Sequence, residues 1–286
     1  MDSTTPQQPA VEVKSEVTDV SEGEGDLSRE ELAEWLLANF GTEPDQPELA
    51  PQPLNLDHLL RPEDFDPSRV TAHNIVEGDG GLDGFGIVLE NVFTRRECQR
   101  LIAETERVGF GHLGEGKTGR AYRGNCRLQI DDLGGALGRE VWRRIAPYVP
   151  AAVELPDGEG RFEYLEMNSR YRFAKYYAGQ GFAIHVDKPT IYEHERCSIM
   201  TVNIYLNDLV QPEQGGLTRF FRRMTGGAPV AAAGGKAGSI AIFKQSVVPY
   251  SPVHDGDKLL SGLKYLMRTD VVYRPAAATD TPKSDA

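Results

Sequence analysis

The chain has 286 residues, 40% of them apolar, and a formal net charge of −12. That length suits one large all-β domain or two smaller ones. Residues 1–60 carry the charge, with fourteen Asp and Glu against two Lys and Arg, whereas residues 61–286 hold 29 of each sign. A body with no basic excess lacks the usual mark of a phosphate-binding surface, so we expect no nucleic-acid partner.

The start of the chain has no basic stretch followed by an apolar run, so it predicts no secretory signal. No apolar run is long enough to span a membrane, and we expect no membrane partner. The three cysteines, Cys98, Cys126 and Cys197, form no CxxC pattern, which favours reduced thiols. We therefore expect an intracellular protein, cytoplasmic or nuclear.

Residues 1–26 are polar and acidic, and we predict that they are disordered. A helix is predicted over residues 28–40, because Ser28 and Glu31 form a capping box and Gly41 is placed to end it. Its apolar face either packs on the folded body or, together with the acidic segment, binds a partner. Residues 42–68 are rich in Pro and acidic residues, so we interpret 27–83 as this helix followed by a linker or a loosely applied wrap.

The predicted folded domain covers residues 84–275. A strand is expected at 85–89, then a helix that opens with a second capping box, Thr94 and Glu97, and then a helix near 137–148. Beyond residue 163, short alternating runs predict strands at 171–176, 198–206, 217–221, 239–243 and 264–273. This pattern is typical of a mainly β sandwich or barrel with flanking helices. We predict that the tail, 276–286, is disordered.

Two histidines and one aspartate suggest a metal site. Residues i and i+2 of a strand point to the same face, so His185 and Asp187 would aim into one cavity. That spacing is weak evidence alone. His254, in a turn predicted at 252–256, would supply a second imidazole. Two imidazoles and a carboxylate form the facial set that holds Fe(II) and leaves positions open for a cosubstrate and dioxygen.

Lys264 follows ten residues after His254, on a strand of otherwise apolar character. A lysine in a half-buried strand is unfavourable unless it meets an anion, so it is a candidate anchor for a dicarboxylate. The alternative is an edge strand on which Lys264 faces solvent.

Four segments together resemble the prolyl 4-hydroxylase-type Fe(II)/2-oxoglutarate-dependent dioxygenases. They are residues 171–187, 203–208, 215–220 and 254–273, which occur in the family's order. The resemblance spans about residues 85–275 and leaves both ends of the chain uncovered. It implies a double-stranded β-helix, the jelly-roll core that is also called cupin-like.

By position, the resemblance also implies roles for single residues. Those implied to ligate Fe(II) are His185, Asp187 and His254. Those implied to bind 2-oxoglutarate are Lys264, Tyr205, Tyr176 and Asn203. Either tyrosine could instead be an ordinary core aromatic. Arg127 lies in a segment that resembles the family near the pocket mouth, where it would bind substrate or form a surface salt bridge.

The implied activity is hydroxylation of an unactivated C–H bond in a protein or peptide side chain, with proline one candidate. Dioxygen would be consumed, 2-oxoglutarate would leave as succinate and carbon dioxide, and ascorbate is an expected accessory. Halogenating relatives replace the carboxylate ligand with a small residue, so Asp187 favours hydroxylation. Two alternatives stay open: a small-molecule hydroxylase of secondary metabolism, and a non-catalytic jelly-roll protein that binds a metal or a partner.

Overall fold

A computed structural model of the chain describes residues 27–75, 85–112, 122–154, 160–210, 212–245 and 252–276. The segments predicted to be disordered, 1–26 and nearly all of 276–286, lie outside the described residues. The α-helices are α1 (Arg29–Phe40), α2 (Arg95–Val108) and α3 (Ala136–Ile145). Within the described ranges no helix is both long and apolar enough to cross a bilayer.

The described strands form two sheets. They are β1 (Gln52–Leu54), β2 (Thr71–Asn74), β3 (Gly86–Glu90), β4 (Gly111–His112), β5 (Cys126–Asp132), β6 (Ala152–Glu154), β7 (Arg161–Met167), β8 (Arg170–Tyr176), β9 (Phe182–His185), β10 (Cys197–Tyr205), β11 (Thr218–Phe221), β12 (Ala231–Ala233), β13 (Ile240–Lys244), β14 (Val253–Gly256) and β15 (Lys264–Pro275). The strands predicted from the sequence are confirmed, with ends that differ by one or two residues.

The large sheet has the order β1-β5-β8-β15-β10-β13-β3-β2, with β4 on β5, β7 on β15 and β6 on β7. The small sheet has the order β12-β11-β14-β9. The eight strands from β8 onward divide into two antiparallel sets of four, β8-β15-β10-β13 and β9-β14-β11-β12. This is the predicted double-stranded β-helix, in a mainly β chain with flanking helices.

Both predicted capping boxes are confirmed. The Ser28 hydroxyl accepts a hydrogen bond from the Glu31 N–H, and the Glu31 carboxylate accepts one from the Ser28 N–H. Thr94 and Glu97 make the same reciprocal pair at the start of α2. On α1, Leu32 and Leu36 are buried in the main hydrophobic core. The apolar face of that helix therefore packs on the folded body.

Side chains alternate along each strand, so the large sheet has one apolar face and one mixed face, which we call the polar face because it carries the polar residues together with apolar ones such as Phe243. On β10, Val202 and Ile204 join the main core, which also receives buried residues of all three helices. Their neighbours Thr201, Asn203 and Tyr205 lie on the opposite face. That second face looks toward the small sheet, and the space between the two sheets holds the site described below.

Two stretches differ from the sequence predictions. The turn predicted at 252–256 is wrong, because β14 lies there and pairs with both β9 and β11. The strand is short and polar, so no alternation of apolar residues marks it. Residues 42–75 contribute β1, parallel to β5, and β2, antiparallel to β3. Backbone hydrogen bonds thus join part of the predicted linker to the sheet, while the predicted domain boundaries stay a prediction.

Candidate metal centre

The structure brings the three predicted ligands together. β9 and β14 are neighbours, and His185 lies directly opposite His254 in their pairing. Asp187 follows two residues after the end of β9, and its Oδ1 lies 3.7 Å from His185 Nε2. Its Oδ2 lies 3.8 Å from His254 Nε2. One ligand atom from each side chain thus lies within 4.8 Å of the other two.

Backbone carbonyls hold both imidazoles in the orientation that a metal needs. Nδ1 of His185 is 2.8 Å from the carbonyl oxygen of Ala183, and Nδ1 of His254 is 2.9 Å from that of Pro252. Because a carbonyl oxygen only accepts, each Nδ1 carries the proton and each Nε2 keeps its lone pair. Two Nε2 atoms and one carboxylate form a donor set that fits Fe(II).

The charges also suit metal binding, which requires unprotonated ligands. Burial and, to a lesser extent, the nearby His254 lower the pKa of His185 to about 4, against a smaller opposing effect of Asp187. Burial raises the pKa of Asp187, but Arg268, His254 and His185 together lower it well below its usual range. Near neutral pH the site therefore presents a neutral His185 imidazole and a carboxylate.

Arg268 is a site residue that the sequence analysis did not identify. Its Nη1 donates to Asp187 Oδ1 at 3.0 Å, and the Thr201 hydroxyl donates to Asp187 Oδ2 at 2.8 Å. These two donors fix the carboxylate from the polar face of the large sheet. A signal was present in the sequence, because Lys264, Arg268 and Asp270 recur at even spacing and must share one face of β15.

Lys264 is only 4% exposed, and β15 lies between β8 and β10, so the edge-strand alternative is wrong. Its Nζ lies 5.0 Å from the ring centre of Tyr176 and 5.9 Å from that of Tyr205. Within the described residues it makes no hydrogen bond or ion pair. Burial lowers the pKa of Lys264 to about 8, although Asp255 and Asp257 raise it. A buried ammonium without a carboxylate contact is available to bind an anion.

The other residues predicted to bind 2-oxoglutarate surround this lysine. Tyr176 is directly opposite Lys264 in the pairing of β8 with β15. Asn203 lines the same cavity, and its Oδ1 is buried without a hydrogen-bond partner, as is the Tyr205 hydroxyl. The Thr218 side chain lies beside Tyr205, but not in the geometry of a hydrogen bond. Because buried polar atoms are normally paired, these two are available to a ligand.

Arg127, on β5, forms a bidentate ion pair with Glu48, with Nε–Oε1 2.5 Å and Nη2–Oε2 2.7 Å. Gln129 donates to the same carboxylate at 2.9 Å. This contact favours the salt-bridge alternative for Arg127, and a role in substrate binding stays a prediction.

A second group of possible ligand atoms lies elsewhere in the described part of the chain. It consists of Glu43, His112 and Cys126. Burial, and then Glu43, raise the pKa of the Cys126 thiol to about 12. A protonated thiol is a poor metal ligand. The His185, Asp187 and His254 group is therefore the better candidate metal centre.

No protein-family model matches the chain, and no curated protein matches it by sequence. Similar solved structures include the viral collagen prolyl hydroxylase of Paramecium bursaria Chlorella virus-1 in complex with 2-oxoglutarate. It is 15% identical, with 66% of this chain and 96% of that chain covered and a TM-score of 0.45. A Pseudomonas putida prolyl-4-hydroxylase is 15% identical, with 73% and 93% covered and a TM-score of 0.43.

A Trichoplax adhaerens prolyl hydroxylase, in complex with a peptide fragment of the hypoxia inducible factor oxygen degradation domain, is also similar. It is 16% identical, with 71% of this chain and 82% of that chain covered and a TM-score of 0.45. These structures are of the class that the sequence motifs resemble. At such identities and TM-scores they carry no argument about the activity of this chain, which depends on its own side chains.

Proposed function

We propose that the chain is an Fe(II)- and 2-oxoglutarate-dependent dioxygenase that hydroxylates an unactivated C–H bond. The observation that carries the proposal is the convergence of His185, Asp187 and His254, with a buried Lys264 that has no carboxylate contact among the described residues. A structural metal site would have no use for such a lysine. A site that also binds a dicarboxylate requires one.

In this proposal His185, Asp187 and His254 would hold Fe(II), and a set of three protein ligands would leave room on the metal for other molecules. Lys264 binds the distal carboxylate of 2-oxoglutarate, with Tyr205, Tyr176 and Asn203 as further contacts. Arg268 and Thr201 are positioning residues that hold the Asp187 carboxylate. When bound, iron would supply the activation of dioxygen, coupled to the decarboxylation of 2-oxoglutarate to succinate and carbon dioxide. Ascorbate remains an expected accessory.

The substrate proposed on the resemblance is a protein or peptide side chain, with proline one candidate, and a small molecule is the alternative. The presence of Asp187 as a carboxylate ligand supports hydroxylation.

The test uses the full-length protein under anaerobic conditions. With Fe(II) and 2-oxoglutarate it should develop a weak visible charge-transfer band, and His185→Ala should abolish the band. His73→Ala is the control, because that histidine is exposed on β2, away from the predicted ligands. If wild-type protein gives no band, or if His185→Ala keeps it, the proposal is wrong.

A further inference from the structure

Cationic side chains outnumber acidic ones in the lining of the cavity at the candidate metal centre. They are Arg123, Arg127, Arg172, Lys264 and Arg268. The acidic residues that line it are Asp187 and Asp255. Asp255 is already held by Arg219 in a bidentate pair, with contacts of 3.1 and 2.6 Å. The cavity is therefore positive even before a metal binds.

Most of these cations have a carboxylate partner. Arg127 pairs with Glu48. Arg172 and Arg268 both donate to the buried Asp270, at 3.1 and 3.3 Å. Lys264 would be balanced by 2-oxoglutarate if the proposed function holds. One cation of the lining then has no anionic partner among the described residues.

That cation is Arg123. Its Nε donates to the buried amide oxygen of Asn125 at 3.2 Å, and it makes no ion pair within the described residues. Burial lowers the pKa of its guanidinium, and the nearby Arg127 and Arg268 lower it further, whereas Tyr176 and, least of all, Asp187 raise it. The protein thus holds a half-buried arginine in an environment that is unfavourable for its charge.

The position of Arg123 connects it to the metal centre. Its guanidinium lies 4.6 Å from the ring centre of Phe182, and that ring stacks on the imidazole of His185 at 3.9 Å. Arg123 is also paired with Phe182 through a backbone bridge. The guanidinium and the imidazole of a predicted iron ligand thus both contact the same aromatic ring, and the contact with that ring helps to hold the guanidinium in place.

We infer that Arg123 binds a carboxylate of the molecule that is oxidised, so that the substrate is an acid. This inference rests on the proposed function and deepens it. With Nε engaged by Asn125, the two Nη groups remain to form charge-assisted hydrogen bonds with a carboxylate. Both a free small acid and an acidic peptide present this group, and the experiment distinguishes them.

The test uses full-length protein loaded with 2-oxoglutarate and Zn(II), which does not activate dioxygen. Ligand-observed NMR measures the binding of matched pairs: N-acetyl amino acids against their primary amides, and Asp-containing peptides against their Asn counterparts. Acids that merely displace 2-oxoglutarate are identified from its own signal and excluded. We expect at least one acid, free or peptidic, to bind about tenfold or more tightly than its amide.

Substitutions then assign the preference to one residue. Arg123→Met should reduce the acid preference to about onefold, and Arg123→Lys should retain part of it, since lysine keeps the charge but loses the bidentate geometry. Arg170→Gln is the matched control, because Asp131 already balances this exposed arginine of β8 and it does not line the cavity, and it should keep the preference. Retained 2-oxoglutarate binding in each variant shows that the fold and the metal site are intact.

The outcomes separate the two proposals. If wild-type protein does not bind 2-oxoglutarate in the presence of a metal, the proposed function fails. If it binds 2-oxoglutarate but no acid, or binds acids and amides equally, only the inference about Arg123 fails. Acid binding that survives in Arg123→Met also overturns that inference. Preference among free acids indicates a small-molecule substrate, and preference among peptides alone indicates a protein substrate.

Discussion

Two buried lysines on adjacent strands of the large sheet lie on opposite faces, and only one of them has a carboxylate contact among the described residues. Lys175, on β8, lies on the apolar face, where its Nζ is 2.7 Å from a Glu106 carboxylate oxygen and four aromatic rings surround it. Lys264, on β15, lies on the polar face and has no carboxylate contact among the described residues. Burial lowers the pKa of both.

The role of a buried charged side chain depends on where its counter-charge comes from. When the chain itself supplies the counter-charge, as Glu106 does for Lys175, the pair belongs to the architecture of the fold. When the described part of the chain supplies none, as for Lys264, the charge costs stability unless a ligand balances it. Four predictions test this distinction between the two faces.

Lys175→Met should have the largest effect, on stability. It leaves the Glu106 carboxylate largely buried without its cation, which should lower the free energy of unfolding by about 3–5 kcal/mol in urea denaturation. Adding Glu106→Gln should recover much of this loss, because the neutral amide can still accept from Tyr265. Affinity for 2-oxoglutarate should not change in the folded fraction. A loss of affinity would show that the two faces are coupled.

Lys264→Met should have the opposite effect to Lys175→Met: it should weaken 2-oxoglutarate binding without lowering the stability of the fold. The Kd for 2-oxoglutarate should rise about 30- to 1,000-fold, because removing one partner of a buried charge pair costs about 2–4 kcal/mol. The free energy of unfolding without ligand should stay equal or increase, since methionine removes an unbalanced buried charge. Calorimetry and urea denaturation measure the two quantities. A destabilised variant with normal 2-oxoglutarate affinity would contradict the proposed role.

Thr201→Val should weaken Fe(II) binding about tenfold, because it removes the hydroxyl that donates to Asp187. Thr269→Val is the matched control on the opposite face of the neighbouring strand, where the hydroxyl donates to the carbonyl of Asn168. That variant should lose about 1 kcal/mol of stability with unchanged iron affinity. Equal iron affinities in both variants would rule out the positioning role of Thr201.

The smallest effect should be on the pH dependence of 2-oxoglutarate binding. Lys264 is protonated below its pKa of about 8, so affinity should be constant there and fall by up to about tenfold per pH unit above it. The facing groups are Tyr176, Tyr205, Asp255 and Asp257, and burial raises the pKa of both tyrosines. Lys264→Arg should flatten the curve. An unchanged curve in that variant would assign the titration to another group.

Local signals in the sequence were sufficient for much of the fold. The capping boxes at Ser28 and Thr94 start helices α1 and α2 because they satisfy backbone groups within one turn. The alternating runs become strands because each must bury one face. The three predicted ligands were identified because even spacing predicts a shared face for His185 and Asp187, and because the family resemblance supplied His254; the structure brings them together.

Features that depend on distant partners could not be predicted. β14 is polar, and it is a strand because β9 and β11 pair with its backbone on both sides. The contact between Arg268 and Asp187 spans 81 residues of sequence. Arg123 makes no ion pair among the described residues, and no local sequence pattern could predict that, because it depends on which distant residues fold near it. Glu48 gave no sign that it would pair with Arg127.

Strand β15 is a single run of 12 residues that carries both Lys264 and Arg268. Four residues of extended chain set their Cα atoms about 13 Å apart. A shift of the strand register by one residue would turn Tyr265 and Met267 toward the cavity and would place both cations on the apolar face of the sheet. An insertion or deletion of one residue between Lys264 and Arg268 should therefore abolish folding or 2-oxoglutarate binding. A change of two residues would keep both cations on the same face of the sheet.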